Sequence, residues 1–170
     1  MLDIKRFQHS TTAPSRVSLE KACVLIEQHL TEMRGIVDHV SDYSPLSSDT
    51  EQRKLLYLCS HLYEFYLLVE ECLLQIARIA DRWIPSSLDW HYRLIRLLQL
   101  PVTDQRPPVL SSSTALLLQD YLVLFLNYHR HSSVITAVKL EKMIRNLPEV
   151  YTSLEKELLF LNCIFMPGRR

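Results

Sequence analysis

The chain has 170 residues, is 48% hydrophobic and 22% charged, and carries 19 basic and 19 acidic side chains. This length predicts one domain with a sizeable core, and the balanced charge excludes a global field that would draw the protein to nucleic acid or to an anionic membrane. Only two glycines occur, Gly35 and Gly168, which excludes the glycine-rich turns of P-loop and Rossmann nucleotide sites.

The first residues differ in character from the rest of the chain. Residues 1–16 are polar, contain Pro14 and show no hydrophobic period. They are therefore predicted to form a flexible arm ahead of a helical domain at 17–167. The start of the chain has no apolar segment of the signal-peptide type, so the cytoplasm is the expected compartment.

Two long helices are predicted next. From Ser18 to Val40 apolar residues recur every three or four positions, which is the pattern of an amphipathic helix. Ser48 and Glu51 form a capping box that opens a second stripe, and this predicts helix 2 as far as about Trp83.

The second half of the chain predicts four shorter helices. Helix 3 is expected from Trp90 to about Leu100, and helix 4 from Thr114 to about His131, with the serines at 111–113 as its caps. The first half of helix 4 is apolar on nearly every side, as in a helix at the centre of a bundle. Helix 5 is predicted over 135–145, and Pro148 is expected to open helix 6. The predicted fold is an all-α, up-and-down helical bundle of four to six helices.

Neither a membrane span nor a metal centre is expected. The longest apolar stretch, Ala115 to Leu126, contains Gln119 and Asp120 and is too short to cross a bilayer. The cysteines are far apart and are interpreted as reduced core residues: Cys23, Cys59, Cys72 and Cys163. The histidines at 9, 29, 39 and 61 have no spacing that would gather metal ligands, and no cofactor is expected.

Polar groups concentrate at the end of helix 4, in the stretch 127–131 of sequence NYHRH. On a helical wheel Asp120, Asn127 and His131 share one stripe, with Arg130 nearby. One interpretation is a helix that simply emerges into solvent, its basic side chains favouring the dipole at the C-terminus. The other is a cleft in which His131 moves protons and a cation stabilises a phosphate. Those groups are the minimum needed to cut RNA through its own 2′-hydroxyl.

Other candidates are weaker. Trp90 and His91 are interpreted as packing and capping residues. Four arginines follow helical spacings and are compatible with an RNA path, although a solvated face is the favoured interpretation: Arg78, Arg82, Arg93 and Arg96.

Several short motifs follow one another in a distinctive order. They are Tyr63-Glu64-Phe65-Tyr66 with Glu70, Ile79-Ala80-Asp81 with Ile84-Pro85, Asp89-Trp90-His91, Arg106-Pro107-Pro108-Val109, the stretch Leu122 to His131, and Leu147-Pro148-Glu149-Val150 with Leu154 and Glu157. On these motifs the stretch from Leu56 to Phe165 resembles the HepT-like ribonuclease toxins of the HEPN superfamily.

The resemblance assigns roles at the end of helix 4. The family signature is an arginine, a polar residue and then a histidine a few positions on, often with a tyrosine two residues later. His131 matches the histidine and Asn127 the polar residue, whereas Leu126 stands at the arginine position and Ser133 at the tyrosine position. The implied catalytic residues are His131 as general acid or base, Asn127 to orient the phosphate or His131, and Arg130 as a stand-in cation.

The resemblance implies an RNA endonuclease toxin that needs no metal ion. It also implies a homodimer that brings two copies of the stripe together around RNA, and a nucleotidyltransferase-type antitoxin as partner. Leu126 favours an alternative, a catalytically inactive HEPN protein that binds RNA or a protein partner. The neutral net charge favours a third hypothesis, a helical scaffold subunit with no role in nucleic-acid binding.

Overall fold

The computed structural model describes residues 15–42, 51–82, 86–102, 106–128 and 136–166, which form five α-helices. They are α1 Arg16–Ser41, α2 Glu51–Ile79, α3 Trp90–Leu98, α4 Ser112–Asn127 and α5 Ala137–Phe165. The only β-type pairing in these residues is an isolated bridge between Val102 and Arg106. The all-α prediction of four to six helices is confirmed.

Helices α1, α2, α4 and α5 form an antiparallel four-helix bundle. Each packs against its two neighbours in the cyclic order α1, α2, α4, α5, while α3 lies against α2 and α4. Contacts in three of the four neighbouring pairs show residue numbers that run in opposite directions: Arg34–Glu155 and Glu27–Asn162 for α1 and α5, Asp120–Lys139 and Thr114–Glu157 for α4 and α5, Tyr63–Tyr128 and Phe65–Tyr121 for α2 and α4. Because α1 runs opposite to α5, α5 to α4 and α4 to α2, α1 and α2 are antiparallel as well. The predicted up-and-down topology is therefore confirmed, and the end of α4 lies beside the start of α5.

Side-chain caps account for several helix starts. The Ser15 hydroxyl accepts a hydrogen bond from the Ser18 amide, so α1 begins at Arg16, slightly before the predicted start. The Ser111 hydroxyl accepts from the Thr114 amide at 3.2 Å and caps α4, as the serine cluster predicts. The predicted cap at Ser48 lies outside the described residues, as do residues 1–14 of the arm predicted over 1–16.

Helix α5 corrects the prediction of two helices separated at Pro148. Proline removes one helical hydrogen bond, and this costs roughly 3 kcal/mol in a helix interior. The apolar stripe, however, continues on both sides of the proline, with Met143, Leu147, Val150 and Leu154 all buried. Because Pro148 itself is exposed, its ring needs no space in the core, and the packing of this stripe offsets the lost bond.

A buried ion pair fixes the loop between α3 and α4. Arg106 donates through Nε and Nη2 to the two carboxylate oxygens of Asp81, both at 2.6 Å. Its Nη1 donates to the carbonyl oxygens of Leu100 and Pro107 at 2.8 and 3.0 Å. The Arg106 side chain is 0% exposed, so its charge depends on these partners for compensation.

Candidate functional site

Helix α4 ends at Asn127, and Tyr128 is its C-cap. The predicted end at about His131 lies outside the described residues. Of the three predicted catalytic residues, only Asn127 is among the described residues, because Arg130 and His131 lie outside them. The proposed roles of Arg130 and His131 therefore stay predictions from the sequence.

The side chain of Asn127 is half-buried and bound to its own helix. Its Nδ2 donates to the carbonyl oxygen of Val123 at 2.7 Å. Since that carbonyl can only accept, the hydrogen bond fixes which end of the amide is nitrogen and leaves Oδ1 as an acceptor. Because Nδ2 also keeps a second N–H, both roles considered for Asn127, orienting the phosphate and orienting His131, stay open.

Leu126, at the position where the resemblance expects an arginine, packs partly buried against the core. Its surroundings are thus apolar. Asp120, which was predicted to share the stripe with Asn127, forms an ion pair with Lys139 of α5 at 2.9 Å. Asp120 therefore ties α4 to α5.

An aromatic cluster covers the side of the end of α4 that faces away from Asn127. Tyr63 of α2 stacks on Phe125 and on Tyr128, with ring centroids 4.9 and 4.6 Å apart. Tyr66 meets Phe125 at 5.2 Å. The cluster holds the last turn of α4 against α2. It was not predicted as a unit, because its members come from distant parts of the sequence.

The same cluster contains a carboxylate–imidazole pair between α2 and α3. His91 Nδ1 is hydrogen-bonded to Oε2 of Glu70, which is a buried residue of α2. The His91 ring stacks on Trp90 at 3.7 Å and meets the ring of Phe125 edge-on at 5.7 Å. These contacts support the interpretation of Trp90 and His91 as packing residues, with His91 also serving as the partner of Glu70.

Burial raises the pKa of the Glu70 carboxyl above its ordinary value, and the hydrogen bond with His91 opposes this shift. A carboxyl whose pKa is raised in the folded state binds its proton more tightly there than in the unfolded chain. Its contribution to stability is therefore fully present below the unfolded pKa and is lost as pH rises through the folded pKa.

We expect Glu70→Gln to remove this pH dependence, because glutamine keeps an acceptor for His91 but cannot ionise. Relative to wild type, the free energy of unfolding of the variant should rise as pH increases above the ordinary pKa of a glutamate carboxyl, because only the wild type loses its contribution as Glu70 ionises. Urea unfolding followed by circular dichroism at several pH values measures this difference, with Glu71→Gln as the control at the neighbouring, half-buried position. A difference that stays constant with pH would contradict the assignment.

The arginines proposed as an RNA path lie at the C-terminal end of α2, just after it, and on α3. Arg78, Arg93 and Arg96 are exposed, and Arg93 Nε pairs with Asp89 at 2.9 Å. Arg82, in contrast, is half-buried. The exposure of the other three arginines agrees with the solvated face favoured from the sequence.

The cysteine prediction needs one correction. Cys23 and Cys72 are buried and Cys59 is half-buried, but Cys163 is exposed because it lies on the outer face of α5 beside exposed Ile164. Within the described ranges, no three His, Cys, Asp or Glu residues are grouped closely enough to hold a metal ion. None of the described helices is both long and apolar enough to cross a membrane.

Comparison with protein families gives a match over the second and third thirds of the chain. The family model described as HepT-like protein matches residues 57–163, which is most of the chain and includes the end of α4. No protein with a curated description and no solved structure matches.

Proposed function

Because this chain belongs to the HepT-like family of the HEPN superfamily, we propose that it is an RNA endonuclease toxin of a toxin–antitoxin module. It acts without a metal ion, in a cleft between two copies of the chain. The observation that carries the proposal is the placement of Asn127 at the end of α4, with its Oδ1 left as an acceptor.

The proposed chemistry uses the 2′-hydroxyl of the RNA as nucleophile. A neutral imidazole of His131 takes the 2′-hydroxyl proton, the 2′-oxygen attacks phosphorus, and the departing 5′-oxygen takes a proton from an imidazolium. The products are a 2′,3′-cyclic phosphate and a 5′-hydroxyl. In the proposal Asn127 Oδ1 accepts from the His131 ring and orients it, the role that the family resemblance implies for the polar residue ahead of the histidine. Arg130 supplies the positive charge that stabilises the phosphate, because the arginine position of the family motif is occupied by Leu126.

The outer face of α4 is the proposed dimer surface. Leu116, Val123 and Asn127 lie along one stripe of the helix, and Leu116 is 66% exposed. Pairing two copies through this stripe would place both Asn127 side chains at the interface and cover Leu116.

We expect Leu116→Asp to weaken the homodimer by about tenfold or more, because it buries a carboxylate in an apolar contact. Sedimentation equilibrium measures the dissociation constant. Val17→Asp is the matched control, since Val17 of α1 is similarly exposed, at 59%, and lies outside this surface. Equal dissociation constants for wild type and Leu116→Asp would place the interface elsewhere.

For the antitoxin we propose neutralisation by binding. Ser133 stands where the family expects the tyrosine that accepts a nucleotide, so the proposed nucleotidyltransferase-type partner has no such acceptor here. It would instead cover the RNA cleft. Lysates in which both proteins are co-expressed should contain a complex that lacks nuclease activity, and the toxin should carry no added nucleotide mass.

A second function is favoured by the packing of Leu126 against the core, where an arginine would be expected in an active enzyme. In this alternative the protein binds RNA or a protein partner without cutting RNA. Tag-free protein incubated with total RNA in excess EDTA at low salt separates the two. Cleavage supports the enzyme, binding without cleavage supports the alternative, and failure to retain RNA would leave the scaffold hypothesis, since phosphate contacts strengthen as salt falls.

A further inference from the structure

A groove of about 460 Å³ runs between α1 and α2, away from the outer face of α4. His39 and Gly35 of α1 line it, together with His61 and Glu64 of α2. Gly35 leaves open space, since a Cβ built on it would meet no atom within 4 Å. The groove therefore brings together two imidazoles that are far apart in the sequence.

The hydrogen bond of His61 defines which of its nitrogens is available. Its Nδ1 lies 2.8 Å from the carbonyl oxygen of Tyr57, one turn earlier in α2. Because a carbonyl only accepts, Nδ1 carries the proton and Nε2 carries the lone pair. An imidazole that donates one N–H to a backbone carbonyl is the usual arrangement of a histidine metal ligand, since the bond fixes both tautomer and ring orientation.

The second imidazole lies at a suitable distance. The ring centroids of His39 and His61 are 5.3 Å apart, and the rings are tilted by 34°. Two imidazoles that bind one ion in tetrahedral geometry, with metal–nitrogen distances of about 2.0–2.1 Å, have their ring centres about 5 Å apart. The observed separation is compatible with that value, so the two rings lie at a distance that one shared ion can bridge.

The charge of the groove favours a cation. Glu64 follows His61 by three positions on α2, and Glu32 of α1 lines the same groove. Since the described residues contain no group of three metal ligands, two imidazoles and water would form the inner shell, with the carboxylates adding negative charge around it.

We propose that His39 and His61 form a two-histidine site for a late first-row divalent cation such as Zn²⁺, which joins α1 to α2. Imidazole nitrogen is a preferred ligand of these ions, whereas Mg²⁺ and Ca²⁺ prefer oxygen. The site does not depend on the proposed nuclease, because His39 lies outside the residues matched to the family and the binding test contains no RNA.

Isothermal titration of the tag-free, full-length protein with ZnCl₂ at pH 7.5 tests the site. We expect saturable binding of one ion, and a stabilisation that grows with zinc concentration because the ion binds only the folded chain. His39→Asn and His61→Asn should each weaken binding by about tenfold or more, and Glu64→Gln should weaken it less.

Cys163→Ser is the matched control, because this exposed thiol is another group that could bind zinc. Co²⁺ used in place of Zn²⁺ should give a visible spectrum without the near-ultraviolet bands of thiolate ligands. Circular dichroism verifies that each variant is folded. If His61→Asn does not fold, zinc binding by His39→Asn alone tests the site. Absence of saturable binding, unchanged binding in His39→Asn, or loss of binding in Cys163→Ser would each overturn the proposal.

Discussion

Replacing His131 with alanine is expected to lower the rate of RNA cleavage by about 100-fold or more. The imidazole is the proposed group that takes the 2′-hydroxyl proton and returns a proton to the 5′-oxygen, and general acid–base catalysis contributes about 10²–10⁴-fold to a rate. Single-turnover cleavage of a fluorescent RNA, with enzyme in excess and EDTA present, measures the effect on the chemical step.

His129→Ala is the matched control for this experiment. His129 has the same side chain and stands two residues earlier in the chain, so its removal changes the local charge and composition in the same way. It should retain most of the activity. Equal losses in the two variants, with unchanged circular dichroism and dimer affinity, would show that His131 has no special role.

Asp81→Ala should produce the largest loss of stability, about 3–5 kcal/mol in the free energy of unfolding. The substitution removes both acceptors for Nε and Nη2 of Arg106, whose side chain is 0% exposed, and leaves a buried guanidinium with uncompensated charge. Urea unfolding followed by circular dichroism measures the loss.

Two comparisons test the cause of that loss. Asp89→Ala breaks the ion pair with Arg93, which is exposed on both sides, and should change stability little. The double variant Asp81→Leu with Arg106→Met removes both buried charges and should recover much of the lost stability. If Asp81→Ala and Asp89→Ala destabilise equally, the buried pair does not fix the loop as described.

The residues that carry the family resemblance are largely those that hold the helices together. Glu70 pairs with His91, Asp81 pairs with Arg106, and Glu157 accepts from Thr114 at the start of α4. The helices themselves were predictable from hydrophobic period and capping residues. The pairings between side chains could not be predicted from the sequence, because each joins positions that only the tertiary structure brings together.

Contacts between helices account for two features that the local sequence pattern did not predict. Proline at 148 is typical of a first helical turn, but the stripe of buried side chains around it continues the helix. His39 and His61 have no ligand spacing within one helix, yet the antiparallel packing of α1 and α2 brings their rings within 5.3 Å. In both cases contacts between helices override the local pattern.

The candidate site was predictable only in part. The polar end of α4 is evident from the sequence, and Asn127 lies there. Only the structure shows that Asn127 is bound to Val123 and that Leu126 is partly buried against the core. The resemblance named an arginine position, and the structure adds that the leucine now there packs against the core. The cation of the proposed site must therefore come from elsewhere, and Arg130 is the residue proposed for it.

The most direct test of the central claim compares two versions of one oligonucleotide in excess EDTA. One is RNA throughout, and the other has a single 2′-deoxyribose at the mapped cleavage position. We expect the folded, dimeric protein to cut the RNA to a 2′,3′-cyclic phosphate and a 5′-hydroxyl and to leave the deoxy version intact at that position. Intact RNA, or equal cleavage of both versions, would contradict the account.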